Sequence, residues 1–133
     1  MELIVDSSAW IDFLRNSNIA IADLVEEALV EGAAVTGTIV MELLAGARTE
    51  KQLTDLEHLL GRARLLPTEP EDFEDAALLY RTCRQNGVTI RTMSDCLIAA
   101  TAIRCGQPVL HNDRDFALLS QYTELRVIDP TQG

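Results

Sequence analysis

Five carboxylates in this chain stand at positions where chemistry is possible: Asp6, Glu42, Asp95, Asp113 and Asp115. Asp6 closes the short apolar run Leu3-Ile4-Val5, and Asp113 and Asp115 follow Val109-Leu110-His111. Asp95 opens a long apolar stretch. Glu42 interrupts another, Thr38 to Ala47, with no basic neighbour before Arg48. A carboxylate buried there requires a compensating cation. Acids gathered at one place repel one another, and a bound cation makes such a cluster sensible at neutral pH. Oxygen ligands without paired His or Cys favour a hard ion, Mg²⁺ or Mn²⁺. His58 and His111 lack the spacing of a zinc site; His58 reads as a helix-surface residue and His111 as a strand-end residue lining a cleft. A divalent pair held by carboxylates suits phosphodiester hydrolysis, one ion making a hydroxide and the other stabilising the leaving oxygen.

Each acid also has a plainer role open to it. Asp6 and Asp113 can cap the helices that follow them. Asp95 completes Thr92-Met93-Ser94-Asp95, the pattern of a capping box. Asp115 suits the first turn of a helix, where the dipole favours negative charge.

The elements that must position these residues follow from periodicity. Leu3 to Val5 reads as a buried strand, followed by a helix carrying Trp10, Phe13 and Leu14. Ile21, Leu24, Val25, Ala28 and Leu29 recur at helical spacing up to a stop near Gly32. Ala34 to Thr36 forms a second strand, and Thr38 to Ala47 a helix apolar on nearly every side. Leu53, Leu56, Leu59 and Leu60 mark a further helix, and Ala63 to Leu66 a third strand. Pro70 begins a helix with a core stripe of Phe73, Ala76, Ala77, Tyr80 and Cys83. Met93 to Cys105 is a helix stopped by Gly106, Val109 to His111 a strand, Asp113 to Gln121 a helix, and Leu125 to Ile128 a last strand. Strands alternating with helices imply an α/β sandwich with a largely parallel sheet. The acids then converge outside the carboxyl ends of the strands.

The chain has 133 residues, which implies a single domain over 1–133. Its 21 acidic against 11 basic residues give a net charge of −10, with Lys51 the only lysine. That excludes a protein held on nucleic acid or membrane by a general basic field. No apolar run approaches the roughly 20 residues that cross a bilayer. Cys83, Cys96 and Cys105 show no paired spacing and read as reduced thiols in a cytoplasmic setting.

Four segments taken in order, IVDSSAWIDFLR, TGTIVMELLAGAR, SDCLIAATAIRCG and VLHNDRDFALLS, resemble the PIN-domain nucleases, and among them the VapC toxins of toxin–antitoxin modules. The resemblance implies a three-layer α/β/α PIN-like sandwich and a Mg²⁺- or Mn²⁺-dependent endoribonuclease that leaves a 5′-phosphate. Carried over by motif, the acidic quartet is Asp6, Glu42, Asp95 and Asp113, all metal-holding, with Asp115 as an accessory acid. Asp6 and Asp95 are the expected direct ligands. Ser7, Thr38, Ser94 and Asn112 would face the site or substrate, and Arg91 and Arg114 would draw phosphate. The family commonly places Thr or Ser two residues before the fourth acid, where this chain has His111. The resemblance also implies a cytoplasmic location, an RNA substrate, a homodimer, and a VapB-like antitoxin lying in a groove flanked by helices 18–31 and 38–60.

A receiver-like signalling domain also uses acids at strand ends, but it needs a lysine at a late strand end, and Lys51 falls in a helix. A phosphatase with an aspartyl nucleophile needs a second Asp where Ser8 stands. A PIN-like binding module without catalysis keeps the fold and loses the chemistry; metal-dependent cleavage of mixed RNA separates all of these.

Overall fold

The computed structural model describes residues 2–130. In chain order the elements are β1 (Leu3–Val5), α1 (Ser7–Arg15), α2 (Ile19–Glu31), β2 (Ala33–Thr36), α3 (Gly37–Ala45) and α4 (Glu50–Leu60). They continue with β3 (Arg64–Leu66), α5 (Pro70–Gln85), α6 (Met93–Cys105), β4 (Val109–Leu110), α7 (Arg114–Tyr122) and β5 (Val127–Ile128). The strands form one parallel sheet in the order β3-β2-β1-β4-β5.

This order decides where a site can form. From β1 the chain steps outward through β2 to the edge strand β3. It then returns across the sheet to β4 beside β1, where Ile4 pairs with Val109 and Val5 with Leu110. Right-handed crossovers put α1 to α4 on one face and α5 to α7 on the other. The pairing of helices agrees: α1 packs on α2, α3 on α4, and α5 on both α6 and α7. The reversal between β1 and β4 is the switch point of the sheet, and the crevice beyond it is where such folds bind ligands.

The central strands are short and apolar because both faces are covered; Leu3, Ile4, Val5, Val109 and Leu110 are all buried. Helix α6 is small-residue rich, and its buried Ala99, Ala100 and Ala102 allow close approach to sheet and neighbouring helix. It ends at Gly106, whose φ of 67° is a left-handed cap that turns the chain toward β4. Trp10 and Phe116 are the largest wholly buried side chains, one in each helical layer.

The core stripe of α5 differs from the sequence expectation. Phe73 is 60% exposed and Ala77 is exposed, whereas Asp72, Ala76 and Cys83 are buried. The inward register is set by Asp72, which accepts hydrogen bonds from Arg104 Nε (2.9 Å), Arg104 Nη2 (3.0 Å), Thr101 Oγ1 (2.9 Å) and the Glu69 amide (2.9 Å). An ion pair this well bonded outweighs the apolar preference of one aromatic ring.

Candidate active site

All five acids lie at the carboxyl end of the sheet. Asp6 follows β1 and caps α1: its Oδ2 accepts from the Ser8 amide at 3.0 Å and the Ser8 hydroxyl at 2.7 Å. Asp113 follows β4 and caps α7, its Oδ1 accepting from the Asp115 amide at 2.8 Å. Capping and membership of the cluster therefore coincide in these two residues. Asp115 is buried in the first turn of α7; its Oδ2 accepts the Arg91 amide at 3.1 Å, and its Oδ1 lacks a hydrogen bond, with Arg91 Nε 3.6 Å away. Asp95 sits in the first turn of α6, 6% exposed, and the Thr92 cap makes no side-chain bond, so the capping box expected there does not form.

Oxygens of Asp95, Asp113 and Asp115 all come within 4.8 Å of one another. Asp115, expected as an accessory acid, thus belongs to the tightest group, while Asp6 and Glu42 stand beside it. Glu42 departs from its expectation in another respect. It is exposed on α3 rather than buried, so the helix is not apolar on every side and no cation is needed to bury this carboxylate. Its Oε1 accepts from the Ser7 hydroxyl at 3.1 Å.

The electrostatics record the crowding. Burial, reinforced by Asp6, Asp113, Asp115 and Glu42, pushes the Asp95 carboxyl up to about 8. Burial also raises Asp6 to about 6, against the opposing hydrogen bonds from Ser8, with Glu42 adding to the rise. Both shifts say that negative charge at this place lacks compensation by the protein's own cations.

The remaining candidates surround the cluster. Asn112 is exposed; its amide donates to Ser8 Oγ at 2.9 Å and its Nδ2 to Asp12 Oδ2 at 2.7 Å. Thr38 and Ser94 occupy the first turns of α3 and α6, and the hydroxyl that caps α3 belongs to Thr36 instead. Arg91 approaches Asp115, and Arg114 is the exposed first residue of α7. His111 is buried rather than cleft-lining, 1% exposed, with its ring against Phe116. Ser8 and Asp12 lie within the first resembling segment with no site role assigned to them from sequence, yet both bond across the switch point.

A groove of about 390 Å³ opens beside Glu42, lined by Ile11, Leu14 and Arg15 of α1, Leu43 of α3, and Gln52 and Leu56 of α4. This groove is bordered by α1, α3 and α4, whereas the expectation named helices 18–31 and 38–60. The reason is packing: α1 lies against α3, while α2 lies against α1 and β2.

The PIN-domain family model matches residues 3–121. The chain belongs to the PIN-domain family. Among curated PIN relatives it is 38% identical to VapC ribonuclease Mb1587 of Mycobacterium bovis over 128 residues, covering 93% of this chain and 96% of that one. The same figures hold for ribonuclease VapC11 of Mycobacterium tuberculosis. Among solved structures, a DNA-bound VapBC from Salmonella typhimurium superposes with a TM-score of 0.80 at 18% identity, over 98% of each chain. FitAcB from Neisseria gonorrhoeae gives 0.78 at 21% identity, over 100% of each. These neighbours establish the PIN fold of the chain, a three-layer α/β/α sandwich on a parallel sheet.

Proposed function

We propose that this PIN-domain protein is a metal-dependent endoribonuclease that acts as the toxin of a toxin–antitoxin pair. The observation that carries the reading is the cluster of Asp95, Asp113 and Asp115 at the switch point, with Asp6 and Glu42 beside it. The 38% identical relatives named as VapC ribonucleases support the same reading.

The donor set fits a hard divalent ion. It offers oxygens only, one of them the buried Asp115 Oδ1 that accepts no hydrogen bond, and burial together with the ring of acids holds the Asp95 carboxyl well above its usual range. Asp6, Asp95, Asp113 and Asp115 would hold Mg²⁺ or Mn²⁺, with Glu42 completing the set. Such an ion supplies Lewis acidity, activating water and offsetting charge on the phosphate. Glu42, open to solvent and accepting from the Ser7 hydroxyl, would orient the attacking water. Arg91 and Arg114 face the incoming phosphate. Thr38, Ser94 and Asn112 border the substrate path. In-line attack by water leaves a 5′-phosphate and a 3′-hydroxyl.

The groove between α1, α3 and α4 suits a VapB-like antitoxin. Its floor is apolar, and Glu42 at its edge leads to the acids, where an arginine fork matches paired carboxylates. Solved structures of the same fold include a toxin–antitoxin complex from Klebsiella pneumoniae, which supports this assignment. A second copy of the chain is the proposed partner for exposed Leu65 on the edge strand β3, in a homodimer. Among the described residues no helix is long and apolar enough to cross a membrane. The proposed RNA substrate and the three free cysteines both suit the cytoplasm.

The deciding experiment incubates the purified chain with mixed RNA in Mg²⁺, Mn²⁺ or chelator and maps the new ends. Cleavage with metal only, leaving 5′-phosphates and absent in Asp95→Asn, is the expected result. Equal cleavage in chelator, or by Asp95→Asn, would sink it.

A further inference from the structure

Two consecutive backbone amides, those of Asn112 and Asp113, are each caught by a side chain. The Asn112 N–H donates to Ser8 Oγ at 2.9 Å, and the Asp113 N–H donates to His111 Nδ1 at 3.1 Å. Ser8 is not otherwise idle: its hydroxyl proton goes to Asp6 Oδ2 at 2.7 Å. One hydroxyl therefore joins the acid that ends β1 to the backbone that leaves β4.

From these contacts we infer that Ser8 and His111 form a clamp on residues 112–113 that positions Asp113 and Asp115 against Asp6; the inference rests on the metal-dependent reading of the same site. His111 is the less expected half. Its ring is buried against Phe116, and an Nδ1 that accepts a bond leaves the proton on Nε2. Nε2 is itself buried and has no hydrogen-bond partner among the described residues. A stranded N–H is a cost that an aliphatic core residue would avoid. What the ring gives in return is the acceptor at Nδ1. From there the same spacing repeats, each acceptor taking the amide two residues on: His111 Nδ1 from Asp113, then Asp113 Oδ1 from Asp115. The Arg91 amide closes the run on Asp115 Oδ2. The acids are thus aimed by a chain of local bonds whose first link is an imidazole. Groups behind the metal-holding residues that fix them in this way govern affinity nearly as strongly as the holders themselves. Ser8 and His111 are positioning residues.

The test uses the full chain, ¹⁵N-labelled, first in chelator. Long-range proton–nitrogen spectra should show His111 protonated at Nε2, and the amides of Asn112 and Asp113 should exchange slowly. A protonated Nδ1, or fast exchange at both amides, overturns the clamp. Mn²⁺ titration calorimetry and steady-state RNA cleavage are then compared across variants. Ser8→Ala and His111→Leu should each weaken Mn²⁺ binding and lower kcat by about tenfold, with KM little changed. His111→Asn, whose Oδ1 takes the place of Nδ1, should restore most of both. A His111→Leu protein with wild-type Mn²⁺ affinity, or a His111→Asn no better than His111→Leu, also overturns it. If His111→Leu fails to fold, Ser8→Ala and His111→Asn carry the same comparison. Wild type that binds no Mn²⁺ brings down the metal-dependent reading instead, while the tautomer and amide exchange still judge the clamp.

Discussion

Asp72 is wholly buried at the contact of α5 with α6, and Asp95 is 6% exposed at the other end of α6. Burial pushes both carboxyls toward the neutral form. At Asp72 the hydrogen bonds from Arg104, the Glu69 amide and Thr101 outweigh burial and hold the carboxyl below its usual range. At Asp95 the neighbours are four more acids, and the carboxyl rises to about 8. Helix α6 thus meets two buried carboxylates of opposite purpose, its own Asp95 and the Asp72 of α5. Where the fold supplies the cation, the acid is structural. Where it supplies further acids, the cation must come from outside.

Identical substitutions at the two positions should have unlike consequences, the largest in catalysis. Asp95→Asn is expected to lower Mg²⁺-dependent RNA cleavage by about a thousandfold, roughly 4 kcal/mol of barrier. Asp72→Asn, measured per folded molecule, should cleave normally. A short labelled RNA and active-site-matched protein concentrations are enough to tell them apart. Equal losses would mean that the two regions do not differ in the way their partners suggest.

Next in size is folding. Arg104→Leu strands the Asp72 carboxylate and should destabilise the chain by about 2–3 kcal/mol, since the guanidinium is partly exposed and the pair partly screened. Urea denaturation in chelator reads this directly. A midpoint unchanged from wild type would demote the pair to an ornament of the surface.

Asp95→Asn should move stability in the other direction. Without metal, burial and the neighbouring acids make this carboxyl costly to keep in the fold, so the neutral amide at pH 7.5 should raise stability by about 1–2 kcal/mol, a shift of several degrees in Tm. Mg²⁺ should raise the wild-type Tm by mass action and that of the variant much less. Equal metal-induced shifts would place the binding elsewhere.

The smallest expected effect is in the pH profile. Asp6 and Asp95 have raised carboxyls in the fold, so their contribution is fully present below the unfolded value of about 4. It is lost as pH climbs through about 6 for Asp6 and about 8 for Asp95. Asp72 and Glu2, both lowered, act in the opposite sense: their contribution is present above about 4 and lost on acidification. The metal-free protein should therefore soften between pH 4 and 8, and Asp95→Asn should flatten that decline while leaving the acid side alone. Thermal melts in chelator across this range decide it; an unaltered alkaline slope in Asp95→Asn would refute the assignment to Asp95.

Much of the fold was legible from periodicity and stop signals. Pro70 and Gly106 bound their helices as expected, and the apolar runs around Ile4, Val35 and Val109 became the central strands. Side-chain direction was harder to read. The stripe through Phe73 and Ala77 looked apolar, but the inward face was fixed by Asp72, whose partner Arg104 lies over thirty residues away. Glu42 looked buried because its neighbours in sequence are apolar, whereas α3 turns that position outward beside Ser7. The Thr92 to Asp95 pattern matched a capping box, yet the Asp95 carboxyl lies against Asp113 and Asp115 instead. Ser8 went unassigned for a similar reason: its importance lies in the Asn112 amide, just past β4 and over a hundred residues away. Local pattern fixes elements, and long-range polar pairs decide which way residues within them face.

The pairing of β1 with β4 has a consequence in time as well as space. Asp6 directly follows the first strand, but its companions at Asp113 and Asp115 are joined to it only when Ile4 meets Val109 and Val5 meets Leu110. Closing a loop of that span is slow, and the contact is among the least local in the molecule. During synthesis the ribosome must release the chain past β4 before the acids can assemble. A nascent or truncated chain that stops short of β4 carries Asp6, Glu42 and Asp95 without the other half of the cluster. The potential for damage is withheld until the crossover from β3 to β4 is complete.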